Sequence, residues 1–516
     1  MVAITAVLTT HPDFAQAQLS VSNLLEVQNG NRPFNPFDPQ PKNRIDVYDQ
    51  LHLSYAYGAS RVGLRFESDE SSEDQNAYRE ITQRWAEWSD DHLRARVGNF
   101  ETILGRGLIH RSFELPGVVL DDPAVRSRFA PTRDVDGALL EATAGPAALR
   151  LLGGSPNVGD VSPAREEAFG QERYAGRIFG GQATLSPRPA TMVGAAYLRT
   201  SDSFGGGAAI EHELASGFVE LDPLGLAGVP GLALPLYVEY ARQDAPASEW
   251  FELSRGEDVP HALYGGANLL WGAFALSAEW KDYRDFRLGI NDPPSLVREH
   301  SWALLNRNTH VLNATDEEGF QLEGSWTWSG RGTATVNRSR ADGVFGLASR
   351  RFEETFAELH AEPFGAWRWE PVAFYDFGED GFQFVEDRDL FGASLAVTPR
   401  PGWTVTGEYQ KQYATRAGED FDDQLVTATI ARAGWGSASL IVERSTDPAQ
   451  EESEEAAEPG IHPRHWVGGL LQARIGERHQ ATLFAGERRG GPACTAGTCY
   501  EVQPFVGAEL RLVSNF

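Results

Sequence analysis

The sequence predicts an all-β protein, a single transmembrane antiparallel up-and-down β-barrel of roughly 24 strands (about 22–24), with short periplasmic turns and long extracellular loops. Three observations predict it. Apolar and polar residues alternate with period two in segments of about ten residues, the length a tilted strand needs to cross a bilayer. Connections between these segments alternate between tight turns and long acidic loops. Tryptophans crowd beside the tight turns, where an interfacial girdle belongs.

The alternation is plain in single segments. "FALSAEWKDY" places Phe274, Leu276, Ala278 and Trp280 on one face and Ala275, Ser277, Glu279 and Lys281 on the other. "FQLEGSWTWS" sets Phe320, Leu322, Trp326 and Trp328 against Gln321, Glu323, Ser325 and Thr327, and "WTVTGEYQKQ" repeats the pattern. Mean hydropathy is negative, and no run approaches the ~18 apolar residues of a spanning helix. A barrel remains compatible with that polarity, because only every second residue of its strands meets lipid.

Tight turns read at "YGAS", "SDDH", "AGPA", "SPRPA", "LWGAF", "WSGRG", "PFGAW", "TPRPGW", "ARAGWG" and "RIGERH". Between them fall loops such as "ESDESSEDQN", "ATRAGEDFDD" and "TDPAQEESEEAAEPG", the last an acidic run at 447–459. Trp88, Trp271, Trp328, Trp367, Trp403 and Trp435 lie within a few residues of the turns. An even strand number puts both termini in the periplasm. No blade-length repeat supports a propeller, and the net charge of −28 argues against nucleic acid as a partner.

Residues 1–17 read as the remnant of a signal peptide, with Ala15-Gln16-Ala17 as an A-x-A cleavage pattern but no basic start and with His11-Pro12-Asp13 interrupting the apolar core. The barrel then occupies residues 18–516, and the expected location is the bacterial outer membrane. Cys494 and Cys499, five apart in a Gly-rich loop, are expected to form a small disulfide, since an exported chain favours one and a metal site needs more ligands.

In "VGAELRLVSNF", Val506, Ala508, Leu510, Leu512 and Phe516 share a face, with Glu509, Arg511 and Asn515 opposite. This resembles the last strand of bacterial outer-membrane proteins, whose terminal aromatic residue, here Phe516, is read by the barrel assembly machinery; Ser514 departs from the pattern. The stretches "VGNFETILGRGLIHRSFE" and "WKDYRDFRLGINDPPSLVREHSWALLNRNTHVLNATDEEGFQLEG" resemble an uncharacterised barrel family of Bacteroidota and related phyla. That resemblance implies a porin-like barrel and adds no activity, since the family's own role is unknown.

If the apolar face of each strand meets lipid, the lumen receives Arg61, Arg65, Arg84, Arg94, Arg96, Arg150, Arg173 and Arg177 from the first third of the chain. The second half contributes Glu279, Glu323, Glu358, Glu408, Glu443 and Glu509. A basic wall facing an acidic wall would set a transverse field across a pore; the alternative is mutual pairing on adjacent strands. Roughly 24 strands leave a wide opening, so loops 99–134 and 283–317 are expected to fold inward and constrict it. The first carries Arg106, His110, Arg111 and Glu114 beside Gly105 and Gly107; the second carries Arg298, His300, Arg307 and His310. A rigid extracellular cap is the other reading of these loops.

With no plug domain before the first strand, a TonB-dependent transporter is not expected. The expected function is a porin-like channel for passive diffusion of small polar or charged solutes, with outer-membrane lipids around it. The alternatives are a structural or docking barrel holding a lipoprotein or other surface partner, and a rim hydrolase. No serine sits in a nucleophile turn and the twelve histidines show no metal spacing, so no catalytic residue, metal or cofactor is expected.

Overall fold

A strand whose backbone donors and acceptors are all met by neighbours can enter lipid only if the sheet has no edge. This computed structural model describes residues 17–31, 43–72, 77–122, 124–125, 127–159, 161–202, 210–244, 260–286, 291, 293–294, 298–310, 316–345, 348–448, 464–495 and 498–516. The signal-peptide reading and most of the acidic run 447–459 lie outside those residues.

Twenty-four antiparallel strands form the barrel. The first five are β1 (Gln18–Asn31), β2 (Asn43–Tyr57), β3 (Ser60–Ser71), β4 (Tyr78–Ser89) and β5 (Leu93–Phe100). After the first inserted loop come β6 (Val135–Ala144), β7 (Ala147–Pro156), β8 (Arg177–Arg188), β9 (Thr191–Asp202) and β10 (Ile210–Leu221). Then follow β11 (Leu236–Gln243), β12 (His261–Trp271) and β13 (Phe274–Arg284), and, beyond the second inserted loop, β14 (Asp316–Trp328), β15 (Gly332–Phe345) and β16 (Ala348–Ala361). The rest are β17 (Glu370–Asp380), β18 (Val385–Arg400), β19 (Trp403–Arg416), β20 (Glu419–Arg432), β21 (Gly436–Ser445), β22 (Arg464–Ile475), β23 (His479–Arg488) and β24 (Phe505–Asn515).

Each strand pairs with its neighbours in the chain, and β24 pairs with β1 from Ser22↔Asn515 to Asn31↔Val506, which closes the sheet. The backbone of Phe516 continues the closure by donating to the Val21 carbonyl at 2.8 Å. At the turn end, Gly58 and Gly272 adopt φ of 58°, the left-handed geometry that tight hairpin turns require. One connection at that end, 222–235, is longer and carries a short helix, α1 (Pro223–Leu226), capped by Asp222. The turn signature did not reveal it because its apolar Pro/Gly/Leu composition resembles a strand end.

Outward residues fall in two aromatic rings. Tyr57, Trp88, Trp271, Trp367 and Trp435 are exposed near the turns, and Phe179, Tyr197, Tyr240, Trp280, Phe320 and Phe391 are exposed nearer the loop ends. Exposed Val, Leu and Ile, such as Leu149, Leu151, Val193, Val219, Leu440, Leu483 and Leu510, lie between them. A closed sheet with an apolar band between aromatic girdles is a bacterial outer-membrane β-barrel.

Candidate functional site

The connection from β5 to β6 turns back into the barrel. Leu104, Leu108 and Ile109 at its tip are fully buried against inward residues of the facing wall: Leu139 on β6, Leu152 on β7, Ile178 on β8, Leu198 on β9, and Leu214 and Phe218 on β10. Where the tip rests, those strands are therefore apolar on both faces, as buried strands are. Burying three such side chains contributes about 1.5–3 kcal/mol each. The backbone of the tip is also answered: Gly105 N–H donates to Gln182 Oε1 at 2.6 Å and Arg106 N–H to Glu239 Oε2 at 2.8 Å. Position 105 needs glycine twice over, for its φ of 58° and because a Cβ would sit 2.3 Å from the Glu239 carboxylate. The Arg106 guanidinium lies over Tyr237 and 3.8 Å from Glu220, next to the periplasmic ends of β10 and β11. The loop thus reaches most of the way through the barrel.

His110 is fully buried behind this tip with neither ring nitrogen hydrogen-bonded among the described residues, and burial pushes its imidazole down to about 4. Arg111 lies over Phe113. The outer part of the loop meets β1 to β4 by charge: Glu114 lies 3.0 Å from Arg65, and Arg128 lies 2.6 Å from Glu26.

The second inserted loop takes the opposite wall. A short helix, α2 (Ala303–Arg307), presents Leu304 and Leu305 to Phe356, Phe374, Leu390 and Leu425. Around it run polar anchors. Arg298 pairs with Glu323, the His300 ring nitrogen Nε2 lies 2.9 Å from Glu354, and Trp302 Nε1–H donates to Glu358 at 2.8 Å. Arg307 Nη2 donates to Glu443 at 3.0 Å, and His310 Nε2 lies 3.1 Å from Glu317, itself paired with Lys281. Behind His300, Arg388 holds both Glu354 and Asp376 at 2.8 Å. The two loops interlock through Asn291: its Oδ1 accepts from Arg111 N–H at 2.7 Å and its Nδ2–H donates to the carbonyls of Gly107 and Leu108 at 3.0 and 2.9 Å. A third extracellular hairpin, closed by a Cys494–Cys499 disulfide, rests on α2, with Cys494 N–H donating to Asn306 Oδ1 at 3.2 Å.

Most of the arginines read as inward do face the lumen. Arg61 is exposed at the periplasmic mouth, and Arg65 is buried between Glu67 and Glu114. Arg94 lies 2.8 Å from both Glu87 and Glu141, Arg150 lies 2.6 Å from Glu141, and Arg96 covers Trp85. Three positions are corrected. Arg84 points outward, because a β-bulge at Thr82 on β4, opposite Arg65 and Phe66 of β3 (Arg65↔Gln83, Phe66↔Ile81), shifts the phase of β4. Arg177 shares the outward phase of exposed Phe179. Arg173 belongs to the loop before β8, where it is buried 3.7 Å from Glu80.

The six glutamates are inward. Glu408 accepts from Gln410 at 2.6 Å, Glu509 from Gln28 at 2.5 Å, and Glu279 is hydrogen-bonded to Tyr264. The expected basic wall is therefore a wall of pairs, neutralised by Glu67, Glu87 and Glu141 on its own strands. Phe516 packs edge-on to His479.

No family model matches the chain, and no curated protein matches it. Among solved structures, the translocation pore of the P pilus usher (PapC) is similar at a TM-score of 0.48 and 10% identity, over 97% of this chain and 99% of that one. The siderophore receptor PirA from Pseudomonas aeruginosa is similar at 0.44 and 10%, over 98% and 81%. A BenF-like porin from Pseudomonas fluorescens is similar at 0.41 and 10%, over 78% and 99%.

Proposed function

We propose that the protein is a constricted diffusion channel for small polar or charged solutes, with the two inserted loops narrowing the lumen and bordering the path. One observation carries the reading: from the periplasmic mouth up to Glu323 in mid-strand, charged groups of opposite walls and of the first loop stay open to solvent although they are paired. The side chains of Arg94 and Arg150 are 37% and 32% exposed, that of Glu323 is 32% exposed, and those of Arg106 and Glu220 are 56% and 41% exposed. A sealed plug would bury such groups or replace them with apolar ones, since burying charge is costly. Paired charges of both signs bind passing ions weakly, which conduction requires. The partners in this reading are outer-membrane lipids, small polar solutes, and the barrel assembly machinery acting on the strand that ends at Phe516. Planar-bilayer recording of the refolded barrel under a salt gradient tests it. Stable steps with weak ion selectivity are expected, and silence from a folded barrel would contradict it.

A further inference from the structure

On the inner face of β1 to β4, towards the periplasmic end, a cavity of about 190 Å³ is bordered by Ser20, Ser22, His52, Ser54, Gln83, Trp85 and Arg65. The three serine hydroxyls, the His52 imidazole and the Trp85 Nε1–H have no hydrogen-bond partner among the described residues, whereas nearby polar groups of the same wall are paired. Gly63 seats the indole: a Cβ there would lie 2.5 Å from the Trp85 ring, so its absence lets the ring lie against β3. Arg96 covers the Trp85 ring at 4.2 Å, which leaves the indole edge as its hydrogen-bonding side. Gln83 Nε2–H is spent on Asp134 at 3.2 Å, so its Oε1 remains as an acceptor.

Charge selects among ligands. The rim cation, Arg65, already faces two carboxylates, Glu67 at 2.7 Å and Glu114 at 3.0 Å. One guanidinium against two carboxylates repels an added anion, and both carboxylates are engaged and so offer little to a cation. What remains is a set of neutral donors and acceptors around a small space. Drug-sized pockets run about 300–1,000 Å³, so the occupant is smaller than that.

We propose that this cup is a subsite for a small, uncharged, polyhydroxylated solute of monosaccharide size. It rests on the channel reading, lying beside the root of the first inserted loop as a resting place on the solute path.

Saturation-transfer NMR on the detergent-folded barrel tests it, with D-glucose as probe and D-gluconate as its anionic counterpart. Glucose should be saturated and gluconate several-fold less. The Ser54→Val, Trp85→Phe double variant should lose the glucose signal, with folding checked by heat-modifiable gel migration. Should that variant fail to fold, Ser22→Val with His52→Leu takes its place. Absence of a glucose signal in the folded wild type, an equal gluconate signal, or a signal that survives both double variants would overturn the proposal. Bilayer recording separates the two readings: a silent barrel that still saturates glucose removes the channel and keeps the cup, and a conducting barrel that does not saturate glucose removes only the cup.

Discussion

Leu104, Leu108 and Ile109 hold the first loop to β6–β10 as side chains are held in a globular core, with Gly105 and Arg106 spending their amides on Gln182 and Glu239. On the opposite wall, Arg298, His300, Arg307 and His310 tie the second loop to four glutamates on three strands, with a smaller apolar contact at α2. Apolar seating is tolerant of small shifts and feels pH only through the one imidazole buried behind it, His110. Buried charge pairs are orientation-specific and fail when one partner is removed. The same barrel therefore carries a fixed filling on one side and a switchable strap on the other.

The largest effect should come from breaking the strap. Glu354→Ala leaves His300 and Arg388 buried without their shared carboxylate, a loss of about 3–5 kcal/mol. The second loop should detach while the barrel stays folded, seen as a larger single-channel conductance and new protease cleavage near α2. Unchanged conductance and cleavage would erase the distinction between the loops.

Leu108→Ala tests the other side. It should cost about 2–5 kcal/mol through lost burial and a cavity, loosening the first loop in hydrogen exchange while leaving exchange of the second loop as in the wild type.

Acid should reach the first loop through one group. His110 titrates at about 4 in the folded protein against 6.5 when exposed, so the unfolded chain binds the extra proton between these values. Its contribution is complete above pH 6.5, declines as pH falls from 6.5 to 4, and is constant below; the full span is about 3 kcal/mol. Protection factors of residues 103–112, taken against the intrinsic exchange rate at each pH, should fall over that window, and His110→Leu should abolish the fall.

The smallest effect concerns the latch between the loops. Asn291→Ala removes three hydrogen bonds, worth about 1–3 kcal/mol together, and should make the effects of Glu354→Ala and Leu108→Ala more nearly additive in a double-mutant cycle.

Much of this was legible in the chain. Period-two alternation and the turn-side tryptophans foretold the strands and their lipid face, and the length of the two loops made them candidates to fold inward, with a rigid cap as the other reading. Strand phase was the weak point. A bulge opposite Arg65 turned Arg84 outward, and nothing in "YREITQRWAEWS" announces it. The seating of the first loop was hidden for another reason. Leu139, Leu152 and Leu198 look like ordinary strand residues, and only the tip of a distant loop reveals that they face a core. The pairing partners Glu67, Glu87 and Glu141 lay in plain sight, but strand neighbourhood decides who answers an arginine, and register is set by the folded sheet.

The most direct test of the account removes the first loop altogether. Phe100 pairs with Val135, so β5 and β6 already end side by side, and an Asn-Gly turn can replace residues 101–134. Single-channel recording of this variant beside the wild type should show stable steps of severalfold larger conductance, because the loop fills the lumen against β6–β10. Equal conductance from the two folded barrels would contradict the claim that the inserted loops set the width of the path.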